Sequence, residues 1–354
     1  MKSIKAINLM KIVVFGLLFS FAFIELSYQY RDRLANTKNN ISGFYEQPRD
    51  SLDVVLIGTS ATFSAFAPMD AWAQRGFTSY NFCVNVMMEN SMPYAITEVE
   101  KTQNPEVIVV DIAPFIFEHY FNGNSDHFIE EWARFNIDGY RYSLNRIKLI
   151  NQLVPKSEDR WSYYIDFIKY HTNENPDLGE YFNLKKVNID KGYGDLPWRG
   201  VQEIYYHEKT DEELSLAPCE DTYLNELLTR LHETDAQVLF INQPLIYQKE
   251  EQIKRVNYIK RTISESGFAF LDMTDYMDEI GMDNTRDYSL DYLHFTHHGT
   301  EKITYFLSKY LMDNYNLSGG HDKKIEDRWN AEYELWLINK QDYIKNLEEL
   351  LNAT

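Results

Sequence analysis

Two cysteines, Cys83 and Cys219, are all that the 354 residues hold. So little cysteine rules out a disulfide framework, and no Cys-x-x-Cys or His/Cys cluster of metal-ligand spacing occurs. In an oxidising compartment the two can pair, although a small buried thiol serves packing at least as well. Positive charge is also short. Lys and Arg number 35 against 54 Asp and Glu, a formal net charge of -19. That balance excludes a nucleic-acid footprint. It also disfavours peripheral attachment to anionic lipid, so membrane contact needs another device. There are no repeats and no low-complexity stretch, and the length suits one large α/β domain or two small ones. Long apolar runs are missing as well, with one exception.

The exception lies at the start. Lys2, Lys5 and Lys11 precede an uncharged apolar run from Ile12 to Ile24, closed by Glu25. The basic flank predicts a cytoplasmic amino end and export of the rest of the chain. The run is shorter than the roughly 20 residues of a comfortable span. Two readings therefore stand for residues 1–30, a membrane anchor or a signal segment with Ser20-Phe-Ala22 as its cleavage site. Tyr28, Tyr30, Arg31 and Arg33 resemble an outer interface and favour the anchor. Either way the bulk of the chain lies outside the cytoplasmic membrane. Residues 31–50 are polar and read as a linker.

The domain proper, 51–315, is expected to be α/β with a parallel sheet. Short apolar runs at 53–57, 107–112 and 237–242 read as strands covered on both faces. Ser79-Tyr-Asn-Phe and Phe268-Ala-Phe-Leu-Asp272 add two more, and helical patterns separate them. The rhythm breaks over 119–218, an aromatic-rich stretch with Trp132, Trp161 and Trp198. Helices at 144–153 and 161–170 make it an inserted helical cap. The tail, 316–354, is an amphipathic helix carrying Trp329 and Trp336, expected to pack on the domain.

Chemistry-bearing residues stand at the two ends of this frame. Gly58-Thr59-Ser60 closes the first strand, where open α/β sheets build their sites. Asp291-Tyr-Leu-His294-Phe-Thr-His297-His298-Gly299 precedes the last helix of the domain. An Asp and a His three apart in a turn can hold the imidazole in the tautomer that accepts a proton. That is the base and its orienting group, and Ser60 supplies the nucleophile. The bland alternatives are a capped strand-to-helix turn and a surface histidine. His297 and His298 read as helix-entry or solvent-exposed residues, Asp111 as a strand end that either lines the site or caps, and Arg134 as paired with an internal carboxylate.

In these blocks the chain resembles the SGNH (GDSL-like) hydrolase superfamily, a three-layer, flavodoxin-like parallel-sheet fold. Within it the chain looks most like the membrane-anchored, extracytoplasmic branch related to teichoic-acid D-alanylation and exopolysaccharide O-acetylation. The match runs through Ile57-Gly-Thr-Ser-Ala-Thr-Phe, Pro68, Tyr80-Asn81 and Asp291-Tyr-Leu-His-Phe-Thr-His-His-Gly. The resemblance implies a serine esterase or O-acyltransferase with Ser60, His294 and Asp291 as its triad, needing no cofactor and no metal. It implies acyl esters of a cell-envelope polymer or an acyl donor as substrate, and a membrane-embedded O-acyltransferase as partner. It further implies a single-pass protein of the bacterial cytoplasmic membrane, or a secreted one after cleavage. Two departures stand out. Cys83 replaces the oxyanion glycine of the second block, and the third-block asparagine has no counterpart before Ala113-Pro114. The amides of Ser60 and Cys83, with Asn81 or Asn85, are then the candidate oxyanion donors. The same departures suit a non-catalytic scaffold that keeps the frame.

Overall fold

The structure is a computed structural model and describes residues 2–30, 35–117, 128–172, 188–194, 208–246, 249–289, 293–317 and 319–352. Its centre is a five-stranded, all-parallel sheet in the order β2-β1-β3-β4-β5. The strands are β1 (Val54–Gly58), β2 (Ser79–Cys83), β3 (Val107–Asp111), β4 (Gln237–Asn242) and β5 (Ala269–Asp272). Val54, Val55, Leu56 and Ile57 are wholly buried, as are Val107 to Val110, because helices cover both faces. This strand order reverses direction beside β1, so a crevice opens at the carboxyl ends of β1 and β3.

On one face lie α3 (Ser60–Ala65), α4 (Pro68–Arg75), α14 (His297–Asn314) and α15 (Lys323–Asn352), packed on one another. On the other lie α5 (Met92–Val99), α11 (Pro218–Leu231) and α12 (Glu250–Glu265). Between β3 and α11 come α6 (Ala113–Ile116), α7 (Glu130–Ile137), α8 (Leu144–Leu153), α9 (Trp161–Tyr164) and α10 (Asp166–Tyr170). A short helix, α13 (Met277–Ile280), comes after β5. The expected insert carries its helices between Glu130 and Tyr170, with a break at Ile165, while its other described stretches, 188–194 and 208–217, hold no helix. It is joined to the main core through Ile137, Leu149, Ile150 and Leu153. Trp198 lies outside the described residues.

One segment differs from expectation. Residues 31–50 are no simple linker, because α2 (Ala35–Phe44) places Ile41 and Phe44 in the core against β2. Phe44 meets the Tyr80 and Phe82 rings edge-on, and the Tyr80 hydroxyl donates to the Asn40 carbonyl at 2.6 Å. An edge strand left bare is a site for unwanted pairing, and α2 helps to cover this one. The amino-terminal helix α1 (Lys2–Tyr30) contains an apolar window, Ile7–Ile24, long enough to cross a membrane. The tail folds as α15. Trp329 and Trp336 of α15 are buried, and the Trp336 indole donates to Asp70 at 2.8 Å. Cys83 and Cys219 are both free thiols.

Candidate active site

Ser60 opens α3 immediately after β1, and the local sequence shapes that turn tightly. The Thr59 hydroxyl accepts from the Ala61 amide at 3.2 Å, while the Thr59 amide donates to Thr62 Oγ1 at 3.1 Å. This reciprocal cap fixes the first turn of a helix too short to hold itself. Beneath it the Thr62 hydroxyl donates to Asp111 Oδ2 at 2.6 Å, and the Ala113 amide donates to Oδ1 at 2.9 Å. Only glycine fits at position 58. A Cβ there would sit 2.0 Å from Thr62 Oγ1 and 2.9 Å from Asp111 Cβ.

His294 arrives from the far end of the chain. It lies in a narrow turn pinned by the Ser289 amide on the His294 carbonyl and the Thr296 amide on the Asp287 carbonyl, each at 2.9 Å. The Tyr288 hydroxyl ties that turn to the end of β4, donating to the Pro244 carbonyl at 2.7 Å. Gly299 allows α14 to start against it, since a Cβ there would lie 2.3 Å from the Asp287 carbonyl oxygen. Two bonds then lock α14 to α3 and to the chain just after it. Thr300 Oγ1 donates to the Ser64 carbonyl at 2.6 Å, and the Ala67 amide donates to Thr304 Oγ1 at 2.9 Å.

The outcome is a Ser60 Oγ to His294 Nε2 separation of 2.7 Å between residues 234 apart in sequence. Both side chains are half-buried, reachable from solvent and supported from below. At that distance Nε2 can take the hydroxyl proton as Oγ attacks. Asp291 lies outside the described residues.

The oxyanion candidates fare unequally. No acceptor among the described residues takes the Ser60 amide, which opens α3 beside its own hydroxyl. Asn81 is wholly buried, and its side-chain amide donates to the Phe66 carbonyl at 2.7 Å, so it fastens the chain after α3. Its backbone amide donates to the Lys191 carbonyl at the outer edge of the sheet. Strand alternation turns the Cys83 amide, two residues on, to that same side, away from β1. The Cys83 thiol is buried, contacts the Leu56 carbonyl at 3.6 Å and is pushed well up by burial. Asn81 and Cys83 are therefore structural neighbours of the site, not donors aimed into it. Asn85 is half-buried in the turn after β2, next to Val86. Val86 has φ +48°, a strained state for a β-branched residue. Asn136 of α7 holds this turn, donating to the Val86 carbonyl at 3.0 Å and accepting from the Met88 amide at 3.1 Å.

The residue that sequence reasoning left undecided is Asp111. It is wholly buried, and burial pushes its carboxyl up to about 6 against the lowering pull of Thr62, Ala113 and Gln243. Gln243 is also wholly buried, near enough to favour the carboxylate, yet among the described residues no bond of normal length satisfies its amide. An acid closing an apolar strand, with a threonine two residues after the candidate nucleophile, was the available signal.

His297 is not solvent-exposed. It starts α14 fully buried, beside Asp70 and Glu301, with ligand atoms of the three within 4.8 Å of one another. Lys340 sits on both acids, 2.9 Å from Asp70 and 2.7 Å from Glu301, and supplies the positive charge such a trio would draw from an ion. His298 instead contacts Arg286 at 3.1 Å, and Arg134 pairs with Asp138 and Glu130.

No family profile and no curated protein matches the sequence. Among solved structures, one described as a Clostridium thermocellum family 3 carbohydrate esterase aligns with 77% of this chain and 100% of its own, at 12% identity and a TM-score of 0.35. That likeness is too loose to carry an activity across.

Proposed function

We propose that the chain is an SGNH-type serine esterase or O-acyltransferase, anchored by α1 and working outside the cytoplasm on acyl esters of a cell-envelope polymer. One observation carries the reading, the 2.7 Å contact between Ser60 Oγ and His294 Nε2 at the carboxyl end of the central strand. Ser60 attacks the acyl carbonyl and His294 takes its proton. The tetrahedral intermediate collapses, the alkoxide leaves with that proton, and Ser60 keeps the acyl group. Water then completes hydrolysis, or an acceptor hydroxyl completes transfer, with His294 again moving the proton. Asp291 is assigned the orienting role by its place in the motif.

The Ser60 amide, opening α3 beside its own hydroxyl, is the proposed oxyanion donor, and Asn85 in the turn after β2 is the candidate for a second. One missing donor typically lowers turnover about 100- to 1000-fold. A slow transfer to a chosen acceptor suits such a site better than rapid general hydrolysis. A membrane-embedded O-acyltransferase delivering the acyl group is the proposed partner.

The test is labelling of the full chain in detergent with an alkyl fluorophosphonate. Labelling is expected to vanish in Ser60→Ala and to fall at least about 100-fold in His294→Ala. Wild-type labelling no greater than in Ser60→Ala would overturn the activated serine and favour the scaffold reading.

A further inference from the structure

We propose that the insert docks on an anionic membrane surface, with α8 to α10 lying at the outer interface. This rests on α1 remaining in the chain as a membrane span. The observation that prompts it is a local reversal of charge. Across a chain of net charge -19, residues 141–171 hold six Lys and Arg against Glu158, Asp159 and Asp166. Lys169 is paired with Glu130 of α7 at 2.6 Å, and the other pairings leave part of that charge outward. Arg146 is buried on Asp166 at 2.7 Å, and Arg160 bonds the Val154 and Asn151 carbonyls. Lys148 and Lys156 are exposed and carry no carboxylate partner among the described residues.

Large apolar side chains share this surface. Leu144 is 78% exposed, Trp161 65%, Ile147 45% and Ile168 42%. Leu144, Ile147 and Trp161 form one strip. Ile147 is one turn along α8 from Leu144, Asn151 one turn further, and the Tyr164 hydroxyl bonds Asn151 at 2.9 Å. The Tyr164 ring meets Trp161 edge-on at 5.9 Å. Exposed tryptophan and isoleucine beside unpaired lysines is the pattern of a surface lying in the headgroup region.

Its height relative to the membrane is set by α1. Phe23, next to the end of the apolar window at Ile24, packs edge-on against Phe167 of α10 at 5.8 Å. With the amino end inside, that contact is level with the outer end of the span, and Ile168 and Lys169 come directly after Phe167. The insert thus begins where the hydrocarbon stops. The acidic bulk of the chain is repelled by anionic lipid while this patch is attracted, so charge orients the domain with the insert down. The same insert grips the Val86 turn beside the site through Asn136, so docking bears on the loop next to Ser60.

The experiment is hydrogen exchange on the full chain in nanodiscs of phosphatidylcholine and of phosphatidylglycerol. Amides of 144–148 and 161–168 are expected to exchange about tenfold more slowly in the anionic discs, and Lys148→Glu with Lys156→Glu is expected to abolish the difference while leaving the thermal melt unchanged. Equal exchange in the two lipids, in chain retained in the discs, overturns the docking while leaving the anchor intact. Chain released from the discs overturns the anchor and the docking with it. Protection that appears only with a soluble polyanion, such as poly(glycerol phosphate), overturns the membrane assignment in favour of the polymer.

Discussion

Asp111 gives the sharpest test of the packing beneath Ser60, because its charge should count against the fold. Its carboxyl is pushed from an ordinary 3.8 up to about 6, chiefly by burial. Below pH 4 both folded and unfolded chains hold the proton. Between pH 4 and 6 the folded chain keeps it and the unfolded chain does not, so stability falls as pH rises through that window. At about 1.4 kcal/mol per pH unit, the gap between 3.8 and about 6 amounts to roughly 3 kcal/mol by pH 7. Asp111→Asn keeps the shape and removes the charge. It also weakens the charge-assisted bond from Thr62, worth about 1.5–3 kcal/mol, so its net effect at pH 7 alone decides little. The change with pH decides. His297, pushed down by burial, contributes a slope of the opposite sign over nearly the same range, and the wild-type profile therefore mixes several groups. Subtracting variant from wild type cancels what they share. The assay is denaturant unfolding of the full chain in detergent, followed by tryptophan fluorescence at pH 4, 5, 6 and 7. Relative to wild type, the variant should gain about 3 kcal/mol between pH 4 and pH 7. A difference that stays constant within about 1 kcal/mol, or that moves the other way, would refute the buried-charge argument.

Thr62→Val removes the hydroxyl joining the Thr59 amide to Asp111 and should slow fluorophosphonate labelling of Ser60 at least about tenfold, with Thr62→Ser restoring it; unchanged labelling would show that the tie does not position the nucleophile. Gly58→Ala forces a methyl against Thr62 and Asp111, and should lower stability by about 2–4 kcal/mol and abolish labelling. An unaltered thermal melt would contradict the close approach at that turn. Lys340→Met leaves Asp70 buried with the Trp336 indole but without its cation, costing about 3 kcal/mol in denaturant unfolding. A loss below about 0.5 kcal/mol would place that ion pair among ordinary surface pairs.

What the sequence disclosed and what it hid divide along physical lines. Strands β1, β3 and β4 were legible because burial on both faces demands an unbroken apolar run, a demand written in adjacent residues. The Ser60–His294 pairing was legible as a pattern, since each partner carries its own local signature of strand end or helix entry. The role of α2 was not. Its ten residues are mostly polar, and Ile41 and Phe44 are the apolar pair that meets the core among its described side chains, so its burial follows from the exposed edge of β2 and not from its own periodicity.

The oxyanion side failed for a related reason. Which way the Cys83 amide points depends on the phase of β2 against its neighbours, and β2 is an edge strand with Lys191 on its free side. No residue near Cys83 encodes that phase. The Thr62–Asp111 bond joins positions 49 apart, and each taken alone has a commonplace explanation as a helix residue or a strand terminus. Their meeting requires Gly58 to be bare between them. A glycine before a serine reads first as turn chemistry. Here it is the gap through which a buried carboxylate reaches the turn that presents Ser60, so the glycine, the threonine and the acid act as one support for that residue.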